Sequence, residues 1–143
     1  MDSVLYNRDI LRLASSLVAG ERLENPDSTA EARSPICGSR IQVDISFDAG
    51  GKIAALALRA NACALGQASA AILRGHAIGT DLVTISDIRK GVELALKGDV
   101  SMPTLWQDLA LLAPAKAYPS RHAAILLPYD AVLAAAAQMK LAS

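Results

Sequence analysis

An alternating stretch followed by paired glycines constrains the fold of this chain most. Along residues 40–47, apolar Ile41, Val43, Ile45 and Phe47 alternate with polar residues, the period-2 pattern of a half-buried strand. Asp48-Ala49-Gly50-Gly51 follows and permits the positive φ of a tight turn. Residues 52–60 then form a second apolar stretch. The pattern predicts an antiparallel hairpin.

Helical spacing dominates the rest of the chain, so we expect an α+β fold: a small antiparallel sheet of two to three strands with helices packed on one face. An amphipathic N-terminal helix is expected over residues 4–19, ending at Gly20. Residues 28–36 are interpreted as an edge strand. Further helices are predicted from Cys63 to about Arg74, from a capping box at Thr84-Ile85-Ser86-Asp87 to Lys97, and over residues 105–112. A coil bounded by Pro114 and Pro119 then leads to a long C-terminal helix, kinked or split at Pro128.

Composition narrows the classes of function. The 143 residues predict one domain over 1–143, and the 14 basic residues balance the 14 acidic ones, so no overall field favours nucleic acid. Aromatic residues, at 3%, are too few for base-stacking platforms. No uncharged apolar stretch reaches the roughly 18 residues of a membrane helix, and the N-terminus lacks the pattern of a secretory signal. We therefore expect a cytoplasmic protein without nucleic-acid or membrane partners.

The two cysteines are predicted to lie at the same end of the hairpin. Cys37 precedes its first strand and Cys63 follows the second, so pairing of the strands brings them together. Cys63 also begins a helix of small residues, where the helix macrodipole favours a thiolate. Without a secretory signal, reduced thiols or metal ligands are expected rather than a disulfide. Two buried inert cysteines remain the alternative.

Two cysteines do not complete a tetrahedral metal site, so other ligands are needed. His122, at the start of the last helix, is the candidate third ligand, since His76 follows the Cys63 helix about one helix length away. Arg40 and Arg121 would stabilise thiolates by charge if they flank the site; as surface residues they would be solvated instead. A Cys63–His122 nucleophile pair is conceivable, but nothing orients the base, and phosphate-loop and dinucleotide motifs are absent.

At these residues the chain resembles the NifU/IscU family of iron–sulfur cluster scaffold proteins, which includes the zinc-binding SufU branch. Tyr6 with Ile10-Leu11 and Asn25-Pro26 is similar to the opening helix and Asn-Pro turn of that family. Cys37-Gly38 resembles its first ligand motif, and Ala62-Cys63-Ala64 with Ser69-Ala70 resembles its second. Residues 109–131 are similar to its third region. In this chain, Ser39 stands where the family has an acidic residue, and Ala124 stands where its third cysteine is expected.

The resemblance implies a divergent scaffold that binds iron or a [2Fe–2S] cluster through Cys37, Cys63 and His122, with Ser39, Arg40 and Arg121 in supporting positions. Soft sulfur ligands suit iron and zinc. The implied partners are a cysteine desulfurase and cluster-accepting proteins, and no enzymatic role beyond sulfur acceptance is expected. Two alternatives stay open: a zinc-binding sulfur-transfer accessory of the SufU type, and a metal-free interaction module with the same fold.

Overall fold

The structure, a computed structural model, describes residues 6–35 and 38–142 and has the expected α+β architecture. Cys37, Val4 and Leu5 lie outside the described residues. In chain order the elements are α1 (Arg8–Ser15), β1 (Ser28–Arg33), β2 (Arg40–Phe47), β3 (Ile53–Asn61), α2 (Ala64–His76), α3 (Leu82–Lys97), the 3₁₀ helices Gln107–Ala117 and Pro119–Arg121, and α4 (His122–Ala142). Among the described residues, no helix combines the length and apolar character needed to span a bilayer.

The sheet confirms the predicted hairpin. Its three strands are antiparallel in the order β1-β2-β3, so the edge strand predicted over 28–36 exists as β1. Gly51 in the β2–β3 turn has φ +82°, a value that L residues rarely adopt. On β2, Ile41, Val43 and Ile45 are fully buried, and α4 contacts both β1 and β2. The alternation seen in the sequence therefore points one face of the sheet at the helices.

The other face of the sheet buries an ion pair. Arg59 Nη1 and Nη2 donate to the two carboxylate oxygens of Asp44 at 3.0 and 3.1 Å. The backbone N–H of Leu23 donates to Asp44 at 3.0 Å, and Arg59 also donates to the carbonyl of Glu21 at 2.8 Å. These bonds hold the segment between α1 and β1 across the sheet.

Helix α1 is shorter than predicted because polar side chains bound it. The Asn7 side chain accepts from the N–H of Ile10 at 3.0 Å and caps the start. At the other end, the N–H and the hydroxyl of Ser16 both donate to the carbonyl of Leu13, which tightens the last turn. The helix thus ends before Gly20, the predicted stop.

Helix α3 begins earlier than predicted. The Asp81 carboxylate accepts from the N–H of Thr84 at 2.8 Å, so Asp81 is the N-cap and Thr84 lies in the first turn. The capping box proposed at residues 84–87 is therefore wrong. Asp and Thr are both good N-caps. Because Asp81 is the one used, the helix also includes Leu82 and Val83.

The segment expected to be a short helix followed by coil is one 3₁₀ helix, Gln107–Ala117, with Pro114 inside it. Its buried residues Leu109, Leu112 and Ala115 recur every third position. A 3₁₀ helix has three residues per turn, so these side chains share one face against the core. The prediction of coil from Pro114 onward was wrong because that spacing outweighed the proline.

Helix α4 continues through Pro128, so the alternative of two abutting helices was wrong. Pro128 has no N–H to donate to the carbonyl of Ala124, the partner in a regular helix. The next carbonyl, of Ile125, accepts from the buried Ser69 hydroxyl of α2 at 2.6 Å. Ser69, one of the small residues of α2, therefore packs against this turn of α4.

Candidate functional site

The end of the sheet near residues 33, 40 and 61 positions the predicted site. Arg40 pairs with Arg33 on one side and with Asn61 on the other. The N–H of Ser34 donates to the carbonyl of Ser39 at 2.9 Å, which closes the β1–β2 loop right after the last strand pair. This loop and the residues that follow β3 thus lie at one edge of the sheet.

Cys63 lies at that edge as the N-cap of α2. Its carbonyl accepts from the N–H of Gln67 at 2.9 Å, whereas its thiol makes no capping hydrogen bond. The side chain is half-buried, and Cys63 is a free cysteine. Gln67 Nε2 donates to the carbonyl of Ala62 at 2.9 Å and fixes the turn before the helix. The thiol therefore lies at the start of a well-defined helix and does not cap that helix by a hydrogen bond.

The position of Cys37 remains a prediction. Pro35 and Gly38, the described residues on either side of Ile36-Cys37, belong to the β1–β2 loop. Both line a cleft that also includes Asn61, two residues before Cys63. The described flanks are thus at the sheet end that the sequence predicted for the two thiols.

The first turn of α4 brings position 124 to the start of α2. A Cβ placed on Gly66 would lie 3.4 Å from the Cβ of Ala124 and 2.8 Å from the Cβ of Ala62. Ala124 is only 1% exposed. Glycine at position 66 therefore permits α4 to approach the turn that contains Cys63. The residue of α4 at this contact is Ala124, whose side chain has no atom that could bind a metal.

His122 lies on another side of α4. Two residues correspond to about 200° around a helix, so His122 and Ala124 face different neighbours. The Nε2 atom of His122 is 2.9 Å from the carbonyl oxygen of Ala115, which requires Nε2 to carry the proton and donate. His122 also lines a cleft of about 590 Å³ with Glu93 and Lys97 of α3. The structure thus does not bring His122 to the contact between Ala124 and Gly66.

The three predicted supporting residues have different surroundings. Ser39 is 5% exposed, and its carbonyl closes the loop. Arg40 lies at the sheet end with its guanidinium 41% exposed. Arg121 lies with its guanidinium carbon 6.0 Å from the centre of the Tyr6 ring, a cation–π distance.

Electrostatics at this edge are dominated by two arginines that share one carboxylate. Glu31 forms an ion pair with Arg33 and lies 3.8 Å from Arg40. The hydrogen bond from Arg33, opposed by burial and assisted by the charge of Arg40, lowers the pKa of Glu31 below its usual value. The sheet end beside Cys63 therefore carries excess positive charge.

Within residues 6–35 and 38–142, no group of three or more histidine, cysteine or acidic side chains could hold a metal ion. Cys63 is the thiol donor that this part of the chain offers at the sheet edge. A thiolate binds soft or borderline metals such as iron and zinc, but one or two thiolates leave coordination positions open.

Two residues at the same end of the sheet as Cys63 were not predicted to belong to the site. Arg33 and Ser34 come to the site because the β1–β2 loop closes between Ser34 and Ser39, and loop closure leaves no periodic signal. Gly66 was predicted only to lie in the helix of small residues that Cys63 begins. Its close approach to Ala124 could have been anticipated from the adjacent small residues of α2.

Comparison with solved structures shows where this fold occurs. The structure is similar to the N-terminal part of a nitrogen-fixing NifU-like protein from Brucella abortus, with a TM-score of 0.90, 30% identity, and coverage of 99% of this chain and 98% of that one. It is also similar to the proposed iron–sulfur cluster assembly scaffold protein for the SUF system of Fervidobacterium islandicum AW-1, with a TM-score of 0.82, 22% identity, and coverage of 94% and 98%. No family model and no curated protein sequence matches the chain.

Proposed function

Because this chain belongs to the NifU-like family, we propose that it acts as a scaffold-type protein in iron–sulfur cluster assembly. The supporting observation is the half-buried thiol of Cys63, which begins α2 and makes no capping hydrogen bond. The cargo would be iron or a [2Fe–2S] cluster. A cysteine desulfurase and cluster-accepting proteins would be its partners.

The proposed protein ligands are Cys63 and Cys37. Both must be deprotonated to bind metal. Position 124, which packs beside the turn of Cys63, supplies no donor because it is an alanine. The proposed site therefore holds its cargo through two protein thiolates and leaves the other positions to ligands from outside the chain. Such a site would release its cargo readily.

His122 is the third ligand that the family resemblance implies. It would have to use Nδ1, because Nε2 donates to Ala115. Since α4 directs His122 toward α3, we expect it to contribute little to metal affinity. Arg40 supports the thiolates through its charge at the sheet end.

Reconstitution in the absence of oxygen tests this function. Protein purified without oxygen is incubated with iron and sulfide, and separately with Zn²⁺, and metal content and visible absorption are recorded. We expect bound iron with visible bands in the wild type, at least tenfold less metal in Cys63→Ala and Cys37→Ala, and no change in His122→Ala.

The outcomes separate the alternatives. Stoichiometric zinc without visible bands under iron and sulfide would favour a zinc-binding sulfur-transfer accessory. Failure to bind either metal would reject both metal-based functions and leave an interaction module. A large loss in His122→Ala would show that the imidazole is a ligand.

A further inference from the structure

The two peptide groups on either side of Cys63 are hydrogen-bonded to one residue, Gln67. The carbonyl of Ala62 accepts from Gln67 Nε2 at 2.9 Å, and the carbonyl of Cys63 accepts from the N–H of Gln67, also at 2.9 Å. Because peptide groups are planar, the orientations of these two planes determine φ and ψ of the residue between them. Gln67 therefore holds Cys63 at φ −65° and ψ 170°, and with them the direction of its Cα–Cβ bond.

The start of α2 differs in this respect from the starts of α1 and α3. The side chains of Asn7 and Asp81 each accept a hydrogen bond from a backbone N–H in the first turn of their own helix. The N-cap of α2 is Cys63, and its thiol makes no such bond. The side chain of Gln67, four residues further along, thus stabilises the helix start in place of a cap and leaves the sulfur atom available.

The carbonyl of Ala62 depends on Gln67 for its donor. Two residues, Ala62 and Cys63, link the end of β3 to the start of α2. This carbonyl lies beyond the last residue pair of the sheet and before the first residue of the helix, so neither ladder of backbone hydrogen bonds supplies a partner. Ala62 is half-buried, and a backbone carbonyl withdrawn from water without a donor is unfavourable. Loss of the Gln67 amide would leave the peptide group between Ala62 and Cys63 free to turn.

We propose that Gln67 is the positioning residue of the metal site, because it fixes the backbone of Cys63 and so presents the sulfur in one direction. The inference rests on the proposed function. Gln67 acts through Cys63 and does not touch the cargo. Residues that orient a metal ligand in this way typically change metal affinity 10- to 100-fold when they are replaced.

Gln67→Met tests the proposal, because it removes the amide donor and keeps a side chain of similar length. In the metal-free protein, the three-bond coupling between the amide proton and the α proton of Cys63 reports φ. We expect the small coupling of φ −65° in the wild type and a shift toward the value of an unfolded chain in the variant. Zinc affinity, measured by competition with a chromophoric chelator, should fall about tenfold. Gln138→Met, on the exposed side of α4, is the matched control and should change neither quantity.

Gln67→Glu decides the question if Gln67→Met does not fold. At pH 7 its carboxylate cannot donate to the carbonyl of Ala62, whereas a negative charge near the start of a helix favours the helix. The coupling of Cys63 is the readout for this variant, since the added charge would itself attract Zn²⁺. We expect the same shift in coupling as in Gln67→Met.

Three results would overturn the inference. An unchanged coupling in both variants would show that the turn holds Cys63 without Gln67. A shifted coupling with unchanged zinc affinity in Gln67→Met would mean that Gln67 serves the turn and not the metal site. Both of these results leave the scaffold function intact. Failure of the wild type to bind either zinc or iron would reject the scaffold function and this inference together.

Discussion

At the scale of single residues, Ala124 stands at the position where the family resemblance expects the third cysteine of a three-thiolate site. Its Cβ faces Gly66, beside the turn that begins with Cys63. Because Gly66 has no side chain, a sulfur atom added to Ala124 would not meet a Cβ at position 66. Ala124→Cys should therefore supply a third thiolate and raise zinc affinity roughly 100-fold. Four-ligand zinc sites bind with roughly 10–16 kcal/mol, so each ligand contributes about 3 kcal/mol, which corresponds to roughly 100-fold. Chelator competition measures the change.

Ala123→Cys is the matched control for that substitution. Ala123 is the preceding residue of α4 but lines the grooves beside Arg89 and Glu93, about 100° around the helix from Ala124. It should leave zinc affinity unchanged. Equal gains in both variants would mean that the added thiol binds zinc without any help from Cys63.

At the scale of elements, replacing each of two helical glycines by alanine should change the free energy of unfolding in opposite directions. A Cβ on Gly91 of α3 would lie 2.6 Å from Cγ of Pro103, and a proline ring cannot rotate away. Gly91→Ala should thus destabilise the protein by about 1–3 kcal/mol. Gly75 in α2 has no atom within 4 Å of the added Cβ, so Gly75→Ala should stabilise it by roughly 0.5–1 kcal/mol. Urea unfolding measures both.

Each outcome has a distinct meaning. A stable Gly91→Ala would show that the loop carrying Pro103 can move away from α3 without loss. A destabilised Gly75→Ala would mean that the end of α2 is packed more tightly than its exposure indicates.

The elements also show how far the sequence could predict this fold. The ends of strands β2 and β3 were predicted to within one residue. Apolar residues alternate with polar ones along β2, and a turn with Gly51 follows it. The start of α3 was missed because Asp81 and Thr84 are both good caps, and only a hydrogen bond distinguishes them. The 3₁₀ helix was missed because buried residues three apart also fit an α-helix.

In the candidate site, too, some residues could be found from local sequence patterns and others only from the folded structure. Cys63 was found because it is a reactive residue type directly after a strand. Arg33 and Ser34 reach it through a loop closure, and Ala124, which only the family resemblance had placed there, reaches it through a helix–helix contact between residues far apart in the chain. Such contacts depend on tertiary packing, which single-sequence patterns do not encode.

At the scale of the whole molecule, the buried pair of Asp44 and Arg59 ties the N-terminal segment to the sheet. Burial raises the pKa of Asp44, but hydrogen bonds from Arg59, from the N–H of Leu23 and from Thr29 outweigh it, so the pKa lies below its usual value. The ionised carboxylate therefore stabilises the fold above about pH 4, the value in the unfolded chain. This stabilisation is lost as the pH falls through the folded-state pKa.

Asp44→Asn should accordingly cost about 3 kcal/mol at pH 7, the scale for breaking a buried ion pair, and the difference from the wild type should shrink below pH 4. Urea unfolding at pH 7 and pH 3 measures it, with Asp87→Asn on the exposed side of α3 as the control. A difference that stays constant between the two pH values would mean that Asp44 acts through its shape and hydrogen bonds, because a contribution from its charge must disappear when the carboxylate is protonated.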